Sequence, residues 1–283
     1  MRLLVTGARG LLGTELVACA AARGHDVIAT GRAELDVTSA DDVRRTVEAE
    51  RPAAVVHLAA YTAVDGAEAD AEAARTTNAG GSRNVAAAAA RAGAVVAYVS
   101  TDYVFDGAKH APYLPDDAPR PLSVYGATKL EGERAVLAAA ADALVVRTSW
   151  LYGAAGRNFV TSILKRAERG EDLRVVDDQT GAPTWARHTA GGIVELLEKD
   201  VRGVWHLADR GACTWLELAR EALRLRGVDA PVAGVSSAEW GAAAARPAFS
   251  VLDVKATEAL LGRSMVPWRE ALARFLDEWA GDT

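Results

Sequence analysis

Leu3-Leu4-Val5-Thr6-Gly7-Ala8-Arg9-Gly10-Leu11-Leu12-Gly13 joins an apolar run of strand length to three glycines at a spacing of three. A helical pattern follows, carried by Leu12, Leu16, Val17, Cys19 and Ala20. Strand, glycine turn and helix start, in that order, lay out a dinucleotide cradle. Gly7 can take the positive φ of a tight turn. Gly10 removes a Cβ where a pyrophosphate must approach backbone N–H groups, and Gly13 lets the helix lie close on the sheet. The helix start at Leu11 and Leu12 offers unpaired donors to the phosphates. The spacing is G-x-x-G-x-x-G rather than G-x-G-x-x-G. Such a triplet also fits a plain strand–helix turn, but its place directly after a buried-type strand favours the cradle.

Outward from this stretch, apolar runs and helical patterns alternate. Strands are expected at 2–6, 26–30, 53–59, 94–100, 143–148 and 172–176, with helices near 11–23, 39–50, 67–91, 123–140 and 157–169 between them. Continuous apolar strands alternating with helices imply an α/β fold, a Rossmann-like doubly wound parallel sheet covered on both faces. Ligands then bind at the carboxyl edge of the strands. Beyond about 177 the rhythm changes to a polar loop, a helix at 186–198, a short strand at 203–208, a helix at 214–226, a Gly/Ala/Pro-rich loop near 230–250 and helices at 254–261 and 268–280. The expected division is a dinucleotide-binding domain over 1–176 and a smaller, mainly substrate-binding lobe over 177–283, with crossing of the chain between lobes allowed.

The 283 residues are half apolar, enough for a large core, and the net charge of −6 argues against a nucleic-acid-binding surface. No run of 18 apolar residues predicts a membrane span. Met1-Arg2 leads straight into the first strand, leaving no room for a signal peptide. Cys19 and Cys213 are far apart and read as reduced thiols, which suits the cytoplasm. The histidines form no metal-ligand spacing, so no metal site is expected.

Cofactor choice turns on the end of the second strand. A carboxylate about 20 residues after the glycines would hold the adenosine ribose of NAD, but Thr30, Gly31 and Arg32 stand there. Arg32 and Arg9 suit a 2′-phosphate through bidentate hydrogen bonds, although both also read as solvated surface arginines. NADPH is therefore favoured, with NADH admitted. Asp36, with Val37 beside it, either meets the adenine or caps the helix starting near Ser39. Ala59, Ala60, Tyr61 and Thr62 end the third strand and would let a cofactor lie against backbone.

Tyr125-Gly126-Ala127-Thr128-Lys129 opens a helix, and a spacing of four puts phenol and ammonium on one face. A free tyrosine titrates at about 10; a nearby ammonium would favour the phenolate and bring it nearer the working range. The plainer reading is a surface Tyr–Lys pair. The fourth strand ends in Ser100-Thr101-Asp102. Either hydroxyl suits a substrate carbonyl, and alternation does not choose between them.

Glycine cradle, strand-end hydroxyl and Y-x-x-x-K, in this order, resemble the extended short-chain dehydrogenase/reductase superfamily. STDYVFDG (100–107), VYGATKLEGE (124–133), RTSWLYG (147–153), Thr77-Asn78-Ala79-Gly80, DQTGAPT (178–184), Arg246-Pro247 and Ser250-Val251-Leu252-Asp253 are similar to the dTDP-4-dehydrorhamnose reductase family along essentially the whole chain. The resemblance implies NAD(P)H-dependent reduction of the 4-keto group of dTDP-4-dehydro-β-L-rhamnose to dTDP-β-L-rhamnose. Tyr125 would be the proton donor, Thr101 the hydroxyl on the reacting oxygen, and Lys129 the residue that tunes Tyr125 and holds the nicotinamide ribose. It carries cofactor contact onto Asn78 and substrate contact onto Thr101, Asp102, Tyr125 and Trp150, with Asn158, Gln179 and Thr184 as polar contacts and Arg246 at the diphosphate. It also admits a homodimer. Two further readings stand beside it: a 4-ketoreductase for another dTDP-deoxysugar, and a non-catalytic nucleotide-binding subunit.

Overall fold

The computed structural model describes residues 1–140 and 142–279. Strands β1 (Arg2–Thr6), β2 (Asp26–Thr30), β3 (Ala54–His57), β4 (Val95–Thr101), β5 (Leu144–Thr148) and β6 (Gly203–His206) form one sheet in the order β6-β5-β4-β3-β1-β2. Every pairing in it is parallel; Leu3 lies opposite Val27 and Ala54, and Leu144 opposite Ala97 and Gly203. Strands β3 and β5 are buried at every residue, which is why Ala54-Val55-Val56 and Leu144-Val145-Val146 run apolar without alternation before the buried polar residues His57 and Arg147-Thr148 at their carboxyl ends.

Helices follow as α1 (Leu11–Ala22), α2 (Ala40–Glu50), α3 (Val64–Ala69), α4 (Ser82–Ala92), α5 (Val124–Ala139), α6 (Phe159–Glu168), α7 (Ala186–Glu198), α8 (Trp215–Leu225), α9 (Lys255–Leu261) and α10 (Trp268–Glu278). Successive β1 residues point to opposite faces. Leu3 and Val5 pack with Leu16 of α1 and Ile193 and Leu196 of α7. Leu4 packs with Val43 of α2, Val85 of α4 and Val136 of α5. A second lobe has its own core, in which Ile163, Leu173, Leu218, Leu272 and Phe275 meet.

Three expectations are corrected. The run at 172–176 does not join the main sheet; Leu173–Val176 pairs with Val232–Val235 in a small sheet of the second lobe. The edge next to β5 is filled instead by Gly203–His206, from the stretch read as tail. Helix α7 lies against α1 and returns the chain to that edge, so the chain leaves the sheet after β5 and comes back. A four-residue apolar strand carries no signal of which neighbour it will pair with, so its sequence did not decide this. The single helix read over 67–91 is divided. Asp70 ends α3, and its carboxylate caps the short helix Ala71–Arg75 by accepting from Ala73 N at 3.0 Å. A π-type turn over Thr76–Gly81 then precedes α4. Among the described residues, no helix is long and apolar enough to cross a membrane.

Candidate active site

The carboxyl ends of the central strands open on a cavity of about 810 Å³. It sits at the ends of β1 and β3, where the connection from β1 runs to β2 on one side and that from β3 to β4 on the other, the switch point at which open α/β sheets bind ligands. Gly7 has φ +69°, and a Cβ on it would stand 2.7 Å from Ala59 N. A Cβ on Gly13 would stand 2.3 Å from Gly7 O. The turn thus lies tight against the end of β3, and α1 tight against the turn. Gly10 caps α1 without a side-chain hydrogen bond, so the first-turn N–H groups are left for a ligand. Gly7, Gly10, Leu11, Leu12 and Gly13 all line the cavity. This cradle of uncapped donors fits the diphosphate of a dinucleotide.

Arg9, Arg32, Asp36 and Val37 line one end of the cavity, and Ala59, Ala60, Tyr61 and Thr62 part of its wall. Asp36 Oδ1 accepts from Thr38 N (3.0 Å) and Thr38 Oγ1 (2.8 Å), bonds that hold its carboxyl below the usual range. The cap of α2 is Ser39, which accepts from Asp42 N. Asn78 is buried and does not line the cavity. Its Oδ1 accepts from Tyr61 N (2.8 Å), and its Nδ2 donates to Tyr61 O (3.2 Å) and Thr128 Oγ1 (3.0 Å). The side chain therefore positions the Tyr61 segment against α5.

Ser123 caps α5 by accepting from Gly126 N at 3.2 Å. A Cβ on Gly126 would stand 2.2 Å from Tyr103 O. This close seat on the segment after β4 places Tyr125 close enough to the Thr101 hydroxyl to feel it. Burial pushes the Tyr125 phenol up to about 12; the Asp102 charge adds to that and the Thr101 contact opposes it. Lys129 Nζ donates to Val99 O at 2.7 Å and lies 4.2 Å from the centre of the Tyr98 ring. Its pKa is pushed down to about 7 by burial, with Glu133 working against the fall. The ammonium is turned to β4, and burial is the largest influence on the phenol, so this geometry lends no support to the expectation that Lys129 lowers the Tyr125 pKa. A phenol kept protonated is the form that can donate.

Ser100 and Thr101 both line the cavity. Ser100 Oγ has no hydrogen-bond partner among the described residues, whereas Thr101 Oγ1 donates to Asp102 Oδ1 at 3.0 Å. The Asp102 carboxyl is 2% exposed, and burial raises it to about 7. A carboxyl whose folded pKa lies above its ordinary value stabilises the fold most at low pH and loses that contribution as pH rises through the folded value. Asp102→Asn is therefore expected to gain stability relative to wild type between pH 5 and pH 8. The difference in melting temperature should widen by about 3 °C or more, roughly 1 kcal/mol for a chain of this size. A constant difference across calorimetric scans at both pH values would show that Asp102 does not titrate on folding.

At the other end of the cavity Trp150, with φ +45°, stacks on Trp215 with ring centres 3.5 Å apart and planes 4° apart. A Cβ on Gly181 would stand 2.3 Å from the Trp150 ring, so glycine is needed beneath it. Trp215 covers one face of Trp150, and both rings line the cavity. Asn158, Gln179, Thr184 and Arg246 do not line the cavity, and each has other partners. Asn158 caps α6 and donates to Gly153 O at 2.8 Å. Gln179 accepts from Trp215 Nε1 (3.2 Å) and donates to Ser237 Oγ (2.8 Å). Thr184 Oγ1 donates to Ala182 O at 3.1 Å. Arg246 makes a two-point pair with Asp65 at 3.0 and 2.7 Å, tying the second lobe to α3.

Sequence reading missed Tyr103, Arg157, Phe159 and Trp215, all on the cavity wall. Trp215 had a signal: it opens a helix behind a capping box in which Thr214 and Glu217 satisfy each other's backbone N–H groups. Away from the cavity, Arg187 joins Glu15 (3.1 Å) to Glu278 (2.5 Å), and no group of His, Cys, Asp or Glu that could hold a metal occurs among the described residues.

The family model described as RmlD substrate binding domain matches residues 1–280. A dTDP-4-dehydrorhamnose reductase of Streptomyces griseus is 43% identical over 278 residues, covering 96% of this chain and 91% of that protein. A probable dTDP-4,6-dihydroxy-2-methyloxan-3-one 4-ketoreductase of Streptomyces antibioticus is also 43% identical, over 280 residues, covering 96% and 93%. The crystal structure of dTDP-4-dehydrorhamnose reductase from Bacillus anthracis in complex with NADP superposes with a TM-score of 0.95 at 37% identity, covering 98% of this chain and 99% of that one.

Proposed function

The chain belongs to the RmlD substrate binding domain family, the family of the dTDP-4-dehydrorhamnose reductases, and from that premise we propose that it reduces the 4-keto group of dTDP-4-dehydro-β-L-rhamnose to give dTDP-β-L-rhamnose. It is an NAD(P)H-dependent oxidoreductase, with NADPH preferred and NADH accepted. The observation that carries the reading is the meeting of Tyr125, Thr101 and Lys129 on the wall of the cavity that the glycine cradle enters. Bound NADPH supplies the hydride that reduces carbon 4. The Tyr125 hydroxyl gives its proton to the oxygen on which negative charge develops. The Thr101 hydroxyl turns its proton from Asp102 to that oxygen as the charge grows. Lys129 offers its ammonium to the nicotinamide ribose. The first turn of α1 holds the diphosphate, and Arg9 and Arg32 meet the 2′-phosphate. Cys19 and Cys213 are unpaired, which supports a cytoplasmic setting.

A second substrate reading has equal similarity behind it. The Streptomyces antibioticus 4-ketoreductase is as close in identity as the Streptomyces griseus reductase, so another dTDP-4-keto-6-deoxysugar competes for the same site. Purified protein assayed with a panel of these sugars and NADPH, with product stereochemistry read by NMR, decides between them. The highest kcat/KM is expected with dTDP-4-dehydrorhamnose. A higher value with another sugar reassigns the substrate. Binding of NADPH with no oxidation by any keto sugar would support a non-catalytic subunit instead.

A further inference from the structure

Strand β2 ends without the carboxylate that holds adenosine ribose hydroxyls in many dinucleotide-binding sheets, yet a carboxylate reaches that place from the next turn. Glu34 N donates to Gly31 O at 3.2 Å and Leu35 N to the same oxygen at 3.0 Å, a tight turn that folds Glu34 back on the strand end. Glu34 Oε2 accepts from Gly31 N at 2.8 Å. Glu34 Oε1 accepts from Arg9 Nε at 3.2 Å and Arg9 Nη2 at 2.5 Å. Gly31 leaves room for both side chains: a Cβ there would stand 2.9 Å from Glu34 Oε2 and 3.2 Å from Arg9 Cδ. Arg9 projects from the glycine turn; Arg9, Gly31 and Arg32 line the cavity, and Glu34 stands directly behind them, bonded to Gly31 N and Arg9.

We infer that Glu34 is the residue that sets the balance between NADPH and NADH, accepting a hydrogen bond from an adenosine ribose 2′-hydroxyl and opposing a 2′-phosphate that must draw Arg9 away from it. The inference rests on the cofactor reading above. Its logic is one carboxylate with two opposite effects. A ribose hydroxyl is a donor and gains from a fixed anionic acceptor. A phosphate is an acceptor with a charge of about −1.5 to −2, repelled by the carboxylate and in competition with it for Arg9. Arg9 and Glu34 are both well exposed, so solvent screens the effect and keeps it moderate.

Dissociation constants of wild type, Glu34→Gln and Arg9→Ala are measured for NADPH and NADH by calorimetric titration at low and high salt. Glu34→Gln keeps an oxygen for Gly31 N and removes only the charge. It is expected to tighten NADPH and weaken NADH, moving the ratio of the two constants by about 10-fold, the scale of one charge-assisted hydrogen bond at an exposed site. Its gain for NADPH should shrink at high salt. Arg9→Ala should weaken NADPH and leave NADH within about 2-fold, a change too small to reflect loss of an ion pair. Equal shifts for both cofactors in Glu34→Gln, or none, overturn the inference while leaving the cofactor reading intact. Wild type that binds neither dinucleotide overturns both.

Discussion

Tyr125→Phe is expected to lower kcat by about 10²–10⁴-fold, the usual worth of a positioned general acid, with the dissociation constant for NADPH unchanged. The substitution deletes one oxygen and no packing. The Tyr125 ring meets Tyr103 edge-on at 6.0 Å, and a phenyl ring keeps that contact. Gly126, Ser123 and Lys129 hold α5 through atoms the change does not touch. What is lost is the proton source. Thr101 already donates to Asp102, and a threonine hydroxyl gives up its proton too reluctantly to replace a phenol. Residual turnover comes from alignment of substrate and reductant alone. Steady-state kinetics on dTDP-4-dehydrorhamnose beside a cofactor titration separates the two quantities. Turnover at the wild-type rate would show that another group donates the proton.

The parts of this site that were legible in the sequence are those fixed by local backbone geometry. Gly7 and Gly13 announce themselves because a Cβ at either position collides with backbone. Tyr125 and Lys129 share a face because a helix repeats near four residues. The sheet strands were legible because burial on both faces leaves an unbroken apolar run. The rest depended on contacts distant in sequence. Nothing local says that Arg246 closes on Asp65, 181 positions away, or that Trp215 covers Trp150. Nor does the Y-x-x-x-K spacing say where the ammonium turns. It fixes the face of α5, whereas the Val99 carbonyl of β4 fixes the direction of Lys129. Glu34 was passed over because the acid was sought at the strand end itself, and the turn that carries it back is closed by backbone bonds to Gly31.

Glu133→Ala is expected to destabilise the fold by about 3–5 kcal/mol, the cost of leaving one member of a buried ion pair without its partner. The side chains of Glu133 and Arg147 are 2% and 4% exposed. Arg147 Nε and Nη2 donate to the two carboxylate oxygens at 2.9 and 2.8 Å, and Nη1 donates to Pro115 O at 3.0 Å. The guanidinium also lies 5.1 Å from the Phe105 ring centre. Alanine at 133 leaves this cation with only a carbonyl and a ring, in a place water does not reach. Glu133→Leu combined with Arg147→Met removes both charges and fills the space, so it should recover most of the loss, as buried pairs replaced by apolar residues often do. Urea unfolding of Glu133→Leu, Arg147→Met and the double gives the coupling; single losses below about 1 kcal/mol would place the pair in the weak class of exposed bridges. A second readout separates site from scaffold. Glu133 stands one turn from Lys129 on the same face of α5, and its charge holds the Lys129 pKa up against burial. Without it the ammonium should lose its proton at a lower pH than in wild type, so the alkaline limb of kcat/KM is expected to move to lower pH in Glu133→Ala. The double variant should keep that shift while regaining stability, because it restores packing and not the carboxylate.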